Sequence, residues 1–187
     1  MEPIIPPIDK EILLKELHAV GLLRKTNKGH NEIYVITHHD SPNVMKEIGR
    51  LREITFRHAG GGTGKSIDID EFDVCDHPYK QLLVWDPEEK EIVGAYRYIK
   101  LKDAEFKEGK VFVATTELFD FEEKFYKDFL PYTIELGRSW VQLAYQPSEE
   151  FKKGLFSLDN LWDGLGAVVV ENPDQKYFYG KVTMYTD

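Results

Sequence analysis

Three arginines and four carboxylates have the residue types and the apolar neighbours expected of an active site. The arginines are Arg52, Arg97 and Arg138, and the carboxylates are Asp68, Asp70, Asp73 and Glu135. A buried guanidinium needs a paired anion, because its desolvation is otherwise strongly unfavourable. We therefore expect these side chains to converge in one cleft. Active sites contain such clusters, but a structural network of ion pairs has the same composition, and the residue types leave both interpretations open.

Residues 132–145 predict a long strand that carries two members of this cluster. Regular alternation would place Glu135 and Arg138 on opposite faces of the sheet. One extra residue at Gly137, a β-bulge, places Glu135, Arg138 and Trp140 on one face and leaves an apolar face behind them. Glycine is expected at such a kink, and bulges often re-aim side chains beside active sites. The alternative is a regular, exposed strand with an ordinary ion pair.

A glycine-rich segment, residues 59–66 (AGGGTGKS), has the spacing of a phosphate-binding loop. That mechanism needs a strand before the loop and a helix after it, so that amides and a helix N-terminus meet the phosphates. Here a helix precedes the loop, and the acidic, strand-like residues 67–71 follow. We therefore expect no nucleotide binding and a mobile loop beside a site.

Composition narrows the class of protein. The chain has 187 residues, which suits one domain, and a net charge of −9, which disfavours nucleic acids and attachment to anionic membranes by bulk charge. One cysteine, Cys75, excludes an internal disulfide and a cysteine-based zinc site, and the six histidines have no metal-ligand spacing. The Met1 start lacks the features of a signal peptide, and no apolar run approaches 18 residues. We expect a soluble, cytoplasmic protein without a bound metal.

The hydrophobic pattern predicts helices that alternate with strands. The predicted helices are 10–20, 42–58, 118–130 and 158–168, and the predicted strands are 32–37, 81–85, 91–100, 132–145 and 176–185. Two of these strands are joined by the polar turn 86–90 and read as a hairpin. A hairpin followed by strands alternating with helices favours a mixed sheet with helices on both faces.

Several short motifs carry a family resemblance. They are Leu51 and Arg52, Phe56, residues 68–73 (DIDEFD), Val93 and Gly94 with Arg97, and residues 135–138 (ELGR). In this order they resemble the acyl-homoserine lactone (autoinducer) synthases, which belong to the GNAT-like acyltransferase superfamily. The resemblance implies a three-layer αβα fold with a central, mainly antiparallel mixed sheet and a β-bulge near Gly137.

A second resemblance extends through nearly the whole chain. Residues 47–53, 61–66, 79–86 and 161–164 are similar to a branch of the same superfamily whose members carry the name hemolysin. That branch is similar to the ornithine- and glycine-lipid N-acyltransferases of bacteria. The resemblance implies one GNAT-like domain over residues 1–187, with an N-terminal arm at 1–30. Because relatives continue past a segment like 180–185, we expect the last elements of the fold to be missing.

The resemblance also implies a reaction. A long fatty acyl chain, commonly 3-hydroxylated, moves from acyl carrier protein, or from acyl-CoA, to the amine of an amino acid. The glycine-rich acetyl-CoA loop of GNAT enzymes is absent at residues 145–150, which favours the carrier protein as donor. No bound cofactor is implied, the oligomeric state is not given, and peripheral contact with the inner membrane stays open.

The residues found fit the attack of a neutral amine on a thioester. Glu135 is the candidate general base, directly or through a water, and backbone N–H groups near Gly137 are candidate donors to the oxyanion. Arg97 and Arg138 complete the candidate catalytic set, holding a substrate carboxylate or orienting the acidic residues. The candidate substrate-binding residues are Arg52, Phe56, Asp68, Asp70, Asp73 and Trp140.

Two alternative functions remain open at this point. One is an autoinducer-type signal synthase, whose product would be an acyl lactone. The other is a non-catalytic acyl-binding protein or hemolysin-like factor, which would bind acyl groups without turnover.

Overall fold

A computed structural model describes residues 1–146 and 154–182. The longer helices are α1 (Lys10–Val20), α2 (Pro42–His58) and α5 (Ser157–Glu171), and the short ones are α3 (Glu71–Val74) and α4 (Glu123–Asp128). The strands are β1 (Arg24–Lys25), β2 (Glu32–Ile36), β3 (Lys80–Asp86), β4 (Glu91–Lys100), β5 (Phe106–Lys107), β6 (Lys110–Val111), β7 (Thr133–Val141) and β8 (Tyr177–Gly180).

Six of the strands form one twisted sheet in the order β1-β2-β3-β4-β7-β8. Neighbours pair antiparallel except β7 and β8, which run parallel. Strands β5 and β6 form a separate two-stranded hairpin. The predicted mixed, mainly antiparallel sheet with helices on both faces is confirmed.

Helices α1 and α2 cover one face of the sheet. Proline at the first turn of α2 suits the start of a helix, and its apolar residues recur at helical spacing. The buried side chains between these helices and the sheet include Leu17, Met45, Ile48, Leu83 and Trp85. Burying each such side chain stabilises the fold by about 1.5–3 kcal/mol, so this layer fixes where α2 lies.

Helix α5 covers the opposite face, where Leu161 and Val168 pack against Leu82, Val84 and Val93. Alternation along β3 and β4 separates these residues from those facing α2. Both strands of the β3–β4 hairpin are therefore apolar on both sides.

The bulge in β7 is present, one residue away from the predicted position. Ala95 pairs with Trp140 and Arg97 with Gly137, so Arg138 and Ser139 together stand opposite the single Tyr96. The left-handed residue is Arg138, with φ of 47°, and not the glycine before it. A left-handed conformation costs a non-glycine residue roughly 1–2 kcal/mol, so the surrounding contacts must hold Arg138 in place.

Several predicted boundaries need correction. Strand β7 ends at Val141, where Gln142 starts a 3-10 turn, and α4 covers only the middle of the predicted helix 118–130. Pro131 disfavours an α-helical conformation of the residue before it, and Leu130 accordingly opens a 3-10 turn after α4. Strand β8 ends at Gly180, and residues 183–185 of the predicted strand lie outside the described residues. In the described part of the chain, no helix is both long and apolar enough to cross a membrane.

Candidate active site

Arg52 on α2 is the innermost cation of the predicted cluster and is fully buried. Its Nε lies 3.1 Å from Asp68 Oδ2, and its Nη2 lies 3.1 Å from Asp73 Oδ2. Both carboxylates are buried as well. Arg52 therefore lies on the buried, otherwise apolar face of α2. Two aspartates from the segment after α2 neutralise its charge.

Arg97 on β4 meets the same acidic segment from the sheet. Its Nη1 lies 2.7 Å from Asp70 Oδ1 and 3.3 Å from Asp73 Oδ1. Its guanidinium also stacks over the ring of Tyr79, 4.8 Å from the centroid. Burial would lower the pKa of Arg97, but the charges of Asp73 and Asp70 outweigh burial and raise it, so the side chain stays a cation.

Asp73 holds the cluster together. It accepts hydrogen bonds from both buried arginines, from Gln81 Nε2 at 3.1 Å and from the backbone N–H of Asp70 at 3.2 Å. Burial alone would raise the pKa of Asp73, but Arg52 and Arg97 hold it below its ordinary value. The bond to the Asp70 backbone also starts the four-residue helix α3, which sequence reasoning had missed.

Arg138, at the bulge, is the outermost cation. Its Nε lies 3.1 Å from Asp68 Oδ2, and its Nη2 lies 3.4 Å from Asp70 Oδ2. The side chains of Arg138 and Asp70 are each 27% exposed, whereas Arg52 and Asp73 are inaccessible. Three arginines and three aspartates thus form one network, of which Arg138 and Asp70 face solvent.

Glu135 shares a face of the sheet with Arg97, because Arg97 pairs with Gly137 and Ile99 pairs with Glu135. Its carboxylate is buried and accepts a 2.7 Å hydrogen bond from the Tyr179 hydroxyl. Among the described residues no arginine pairs with Glu135. The structure therefore places Glu135 beside the arginine network, with Tyr79 between them, and not within it.

The charge of Glu135 affects the two tyrosines around it. Burial and then the Glu135 carboxylate raise the pKa of Tyr179 and of Tyr79 above the ordinary value, so both phenols stay protonated. Tyr179 belongs to β8, and Tyr79 stands directly before β3. Sequence reasoning missed both, since only the folded sheet brings them to Glu135.

Two predicted substrate-binding residues differ in their surroundings. Trp140 is buried in the core under α1 and α2, and it does not line the cleft described next. The prediction for Trp140 needs correction because helices cover this part of the sheet. A residue there stays buried even though it shares a face of the sheet with Arg97. Phe56, one turn after Arg52 on α2, does line the cleft.

A cleft opens where β7 and β8 stop pairing. The last paired residues are Leu136 and Gly180, and beyond them two cavities of about 400 and 450 Å³ share the same four residues. These are Arg138, Ser139, Lys181 and Val182. The first cavity adds Tyr96, Leu136 and Phe178, and the second adds Phe56, Ala59 and Gly61. Because they share these residues, the two cavities are two openings, or mouths, of one cleft, which we call the β7–β8 cleft.

A larger cavity of about 820 Å³ lies elsewhere, near Lys80, Tyr98 and Lys100, and none of the predicted site residues lines it. Size alone would favour that cavity, but the β7–β8 cleft combines a bulge with a partly exposed arginine that is paired to an aspartate. Within the described residues no group of three or more His, Cys, Asp or Glu side chains is arranged to hold a metal ion.

The glycine-rich loop is more firmly held than its sequence suggested. The backbone N–H groups of Thr63 and Gly64 donate to the buried carboxylate of Glu53, at 3.0 and 2.8 Å. The amides of Thr63 and Gly64, which would have to contact phosphates, are thus already engaged, and the lack of nucleotide binding stays a prediction. The contacts do not support the expected mobility. Glu53 was missed, although its position beside Arg52 on the buried side of α2 was a usable signal.

Comparison with known proteins is consistent with this fold. The profile of the acetyltransferase (GNAT) domain matches residues 51–153, more than half of the chain. The chain is 63% identical over 186 residues to a glycine N(alpha)-acyltransferase of Phocaeicola vulgatus and 60% identical to one of Bacteroides thetaiotaomicron. Each match covers 99% of this chain but only 57% and 55% of those proteins. No solved structure matches significantly. By its sequence, this chain belongs to the GNAT acetyltransferase domain family.

Proposed function

We propose that this chain transfers a fatty acyl group from a thioester to the amine of an amino acid, with glycine as the acceptor. Its relatives from Phocaeicola and Bacteroides, at 63% and 60% identity, are named glycine N(alpha)-acyltransferases. The chain spans little more than half of their length. The observation that carries the proposal is the partly exposed pair Arg138 and Asp70: Arg138 lines the β7–β8 cleft, and Asp70 Oδ2 lies 3.4 Å from its Nη2.

An amino acid is a zwitterion, and this pair offers one partner for each of its charges. The guanidinium of Arg138 suits the carboxylate of the acceptor, since arginine donates two parallel hydrogen bonds to a carboxylate. Asp70 suits the ammonium group. The buried members of the network hold both side chains in place, because Asp68 contacts Arg138 and Arg97 contacts Asp70. The site is thus preorganised for a small charged acceptor.

The acyl donor lies in the cleft between β7 and the end of β8. The mouth lined by Tyr96, Leu136 and Phe178 is mostly apolar and suits an acyl chain. The bulge removes a residue of β7 from the regular ladder, so a backbone N–H there is available to the oxyanion of the tetrahedral intermediate. Lys181, on the facing edge, donates a long 3.5 Å bond to the Ala114 carbonyl and has further N–H groups for anionic groups of the donor.

In the proposed reaction the amine nitrogen attacks the thioester carbonyl carbon, the C–S bond breaks, and the thiol leaves with a proton. The attacking amine first loses a proton. We propose Glu135 as the base, acting through a water because its carboxylate is buried. Acyl carrier protein is the proposed donor in place of acyl-CoA, and an acylated amino acid for lipid synthesis is the proposed product. Ornithine is the second candidate acceptor, and peripheral contact with the inner membrane is part of the same proposal.

Mass spectrometry of the products tests the proposal. Purified protein is incubated with isotope-labelled glycine and either acyl carrier protein or CoA thioesters of 3-hydroxy fatty acids. We expect labelled acylglycine from the wild type and a KM for glycine raised roughly 10–100-fold in Arg138→Ala, the usual loss for an ion pair to substrate. Arg50→Ala removes another ion-paired arginine, on α2 away from the cleft, and serves as control.

Three outcomes would contradict the proposal. An acyl lactone as the product would favour an autoinducer-type synthase. Saturable acyl binding without turnover would favour a non-catalytic acyl-binding protein. An unchanged KM for glycine in Arg138→Ala would remove the assigned acceptor site even if acylglycine forms.

A further inference from the structure

The glycine-rich loop, residues 60–66, wraps around the carboxylate of Glu53, a residue of α2 that is completely buried. Besides the N–H groups of Thr63 and Gly64, the Thr63 hydroxyl donates to this carboxylate at 2.7 Å, and Arg57 Nε donates at 2.6 Å. Three of these four donors belong to the loop. Glu53 therefore occupies the amide cradle that a phosphate would fill in a nucleotide-binding loop, and it fixes the course of the backbone.

The N-terminal segment holds the same loop from the other side. The backbone N–H of Glu2 donates to Gly64 O at 2.8 Å, and Ser66 N–H donates to the Glu2 carboxylate at 2.8 Å. Ile5 N–H donates to Ser66 O at 3.2 Å, and Arg57 donates to the Glu2 carbonyl at 2.9 Å. The loop is thus enclosed between α2 and residues 1–5.

The inner surface of the loop forms part of the β7–β8 cleft. Gly61, together with Ala59 and Phe56 at the end of α2, lines the mouth of about 450 Å³ opposite Arg138 and Ser139. A displacement of the loop would therefore widen this mouth and move the wall that faces Arg138. No part of Glu53 lines the mouth itself.

We propose that Glu53 is a positioning residue, which holds the glycine-rich loop as the wall of the acceptor mouth and so sets the affinity for the amino acid. This inference rests on the proposed function, because it takes the mouth of about 450 Å³ as the acceptor side of the cleft and the mouth of about 400 Å³ as the acyl side. The role of the loop is then to form a fixed wall of the cleft, and not to bind a nucleotide or to move freely. Glu53 acts through the loop and does not touch the substrate.

Glu53→Gln and Thr63→Val test the inference. Glutamine places N–H groups against the loop donors, whereas valine at the exposed Thr63 removes one donor and should fold normally. Because this N–H₂ group opposes donors of the loop, we expect the KM for glycine to rise about 10-fold or more in Glu53→Gln, with a smaller change in kcat. Thr63→Val should shift KM in the same direction, by a smaller factor.

Glu16→Gln is the matched control. The Glu16 carboxylate also accepts backbone N–H bonds, from Asn43 and Val44 at the start of α2, but it lies away from the cleft. Its loss should lower stability without changing the KM for glycine. If Glu16→Gln and Glu53→Gln raise the KM for glycine alike, in proportion to their loss of stability, the positioning role of Glu53 is overturned.

Amide hydrogen exchange separates this inference from the proposed function, because it needs no turnover. We expect faster exchange at Thr63 and Gly64 in Glu53→Gln and unchanged exchange there in Glu16→Gln. If the wild type forms no acylglycine, the proposed function fails, and exchange still decides whether Glu53 holds the loop. If the wild type is active and Glu53→Gln keeps both its KM and its exchange pattern, the inference fails on its own.

Discussion

Replacing Asp73 with asparagine should destabilise the protein strongly, although the two side chains have nearly the same shape. The Asp73 carboxylate accepts hydrogen bonds from Arg52, Gln81 and Arg97 at 3.1–3.4 Å. Asparagine keeps one acceptor oxygen and turns an N–H group toward at least one guanidinium ion, because Arg52 contacts both carboxylate oxygens and Arg97 contacts Oδ1. Both arginines are almost fully buried, so water cannot replace the lost charge.

The size of the effect follows from which partners remain. Removing one partner of a buried ion pair costs about 3–5 kcal/mol. Because Arg52 keeps Asp68 and Arg97 keeps Asp70, we expect the lower end, about 3 kcal/mol. For a chain of this length that corresponds to a decrease in Tm of about 6–12 °C.

Urea denaturation followed by tryptophan fluorescence measures the change in free energy of unfolding, since Trp85 and Trp140 are buried reporters. Asp76→Asn, at an exposed position three residues later, is the control and should change stability by less than about 0.5 kcal/mol. A loss below about 1 kcal/mol in Asp73→Asn would refute the reasoning, because the buried guanidinium ions would then not depend on this carboxylate.

Further predictions concern pH and backbone geometry. Because the arginines hold the pKa of Asp73 below its ordinary value, its contribution to stability is complete above about pH 3.9, the pKa of unfolded aspartate, and is lost as pH falls through the lower folded value. An acid titration of unfolding should therefore decline less steeply in Asp73→Asn than in the wild type. Arg138→Gly should be more stable in urea than Arg138→Ala by about 1 kcal/mol, because the residue is left-handed; equal stabilities would contradict the assigned strain. Gly94→Ala should cost about 1–3 kcal/mol, since its Cβ would lie 2.5 Å from the Trp140 carbonyl, whereas Gly166→Ala, with open space in a helix, should gain about 0.5–1 kcal/mol in the same assay.

The arginine network could be predicted because it follows from burial. Arg97 stands in a strand that is apolar on both faces, so a guanidinium there had to meet carboxylates, and the nearest acidic segment is 68–73. The same argument applies to Arg52, which stands on the buried face of a helix. The structure brings both residues to Asp73, but which arginine would reach solvent could not be predicted, since exposure depends on how β7 and β8 separate.

The bulge could be located only to within one residue. Alternation of apolar residues requires one extra residue between Leu136 and Val141, but it does not say which residue turns left-handed. Glycine was the natural choice on conformational grounds. Arg138 takes that conformation instead, and its ion pairs to Asp68 and Asp70 are contacts that glycine could not make.

The surroundings of Glu135 could not be predicted from its strand. Periodicity gives the face of the sheet on which a side chain lies, but not what covers that face. Tyr179 is 44 residues from Glu135 in the sequence, and Tyr79 stands directly before β3. Only the folded topology brings these two tyrosines to Glu135. The same limit applies to Trp140, which α1 and α2 cover.

The parallel pairing of β7 with β8 has a consequence for the order of folding. Strands β3 and β4 are joined by a tight turn and can pair early, whereas β8 reaches β7 only after α5 has crossed the sheet. Within residues 1–146 and 154–182, strand β8 also pairs on one side only, through four residues. Such an edge opens at a lower free energy than the central strands do. On mild heating, the chain should therefore detach β8, and with it one wall of the cleft, while the arginine network and the rest of the sheet are still intact.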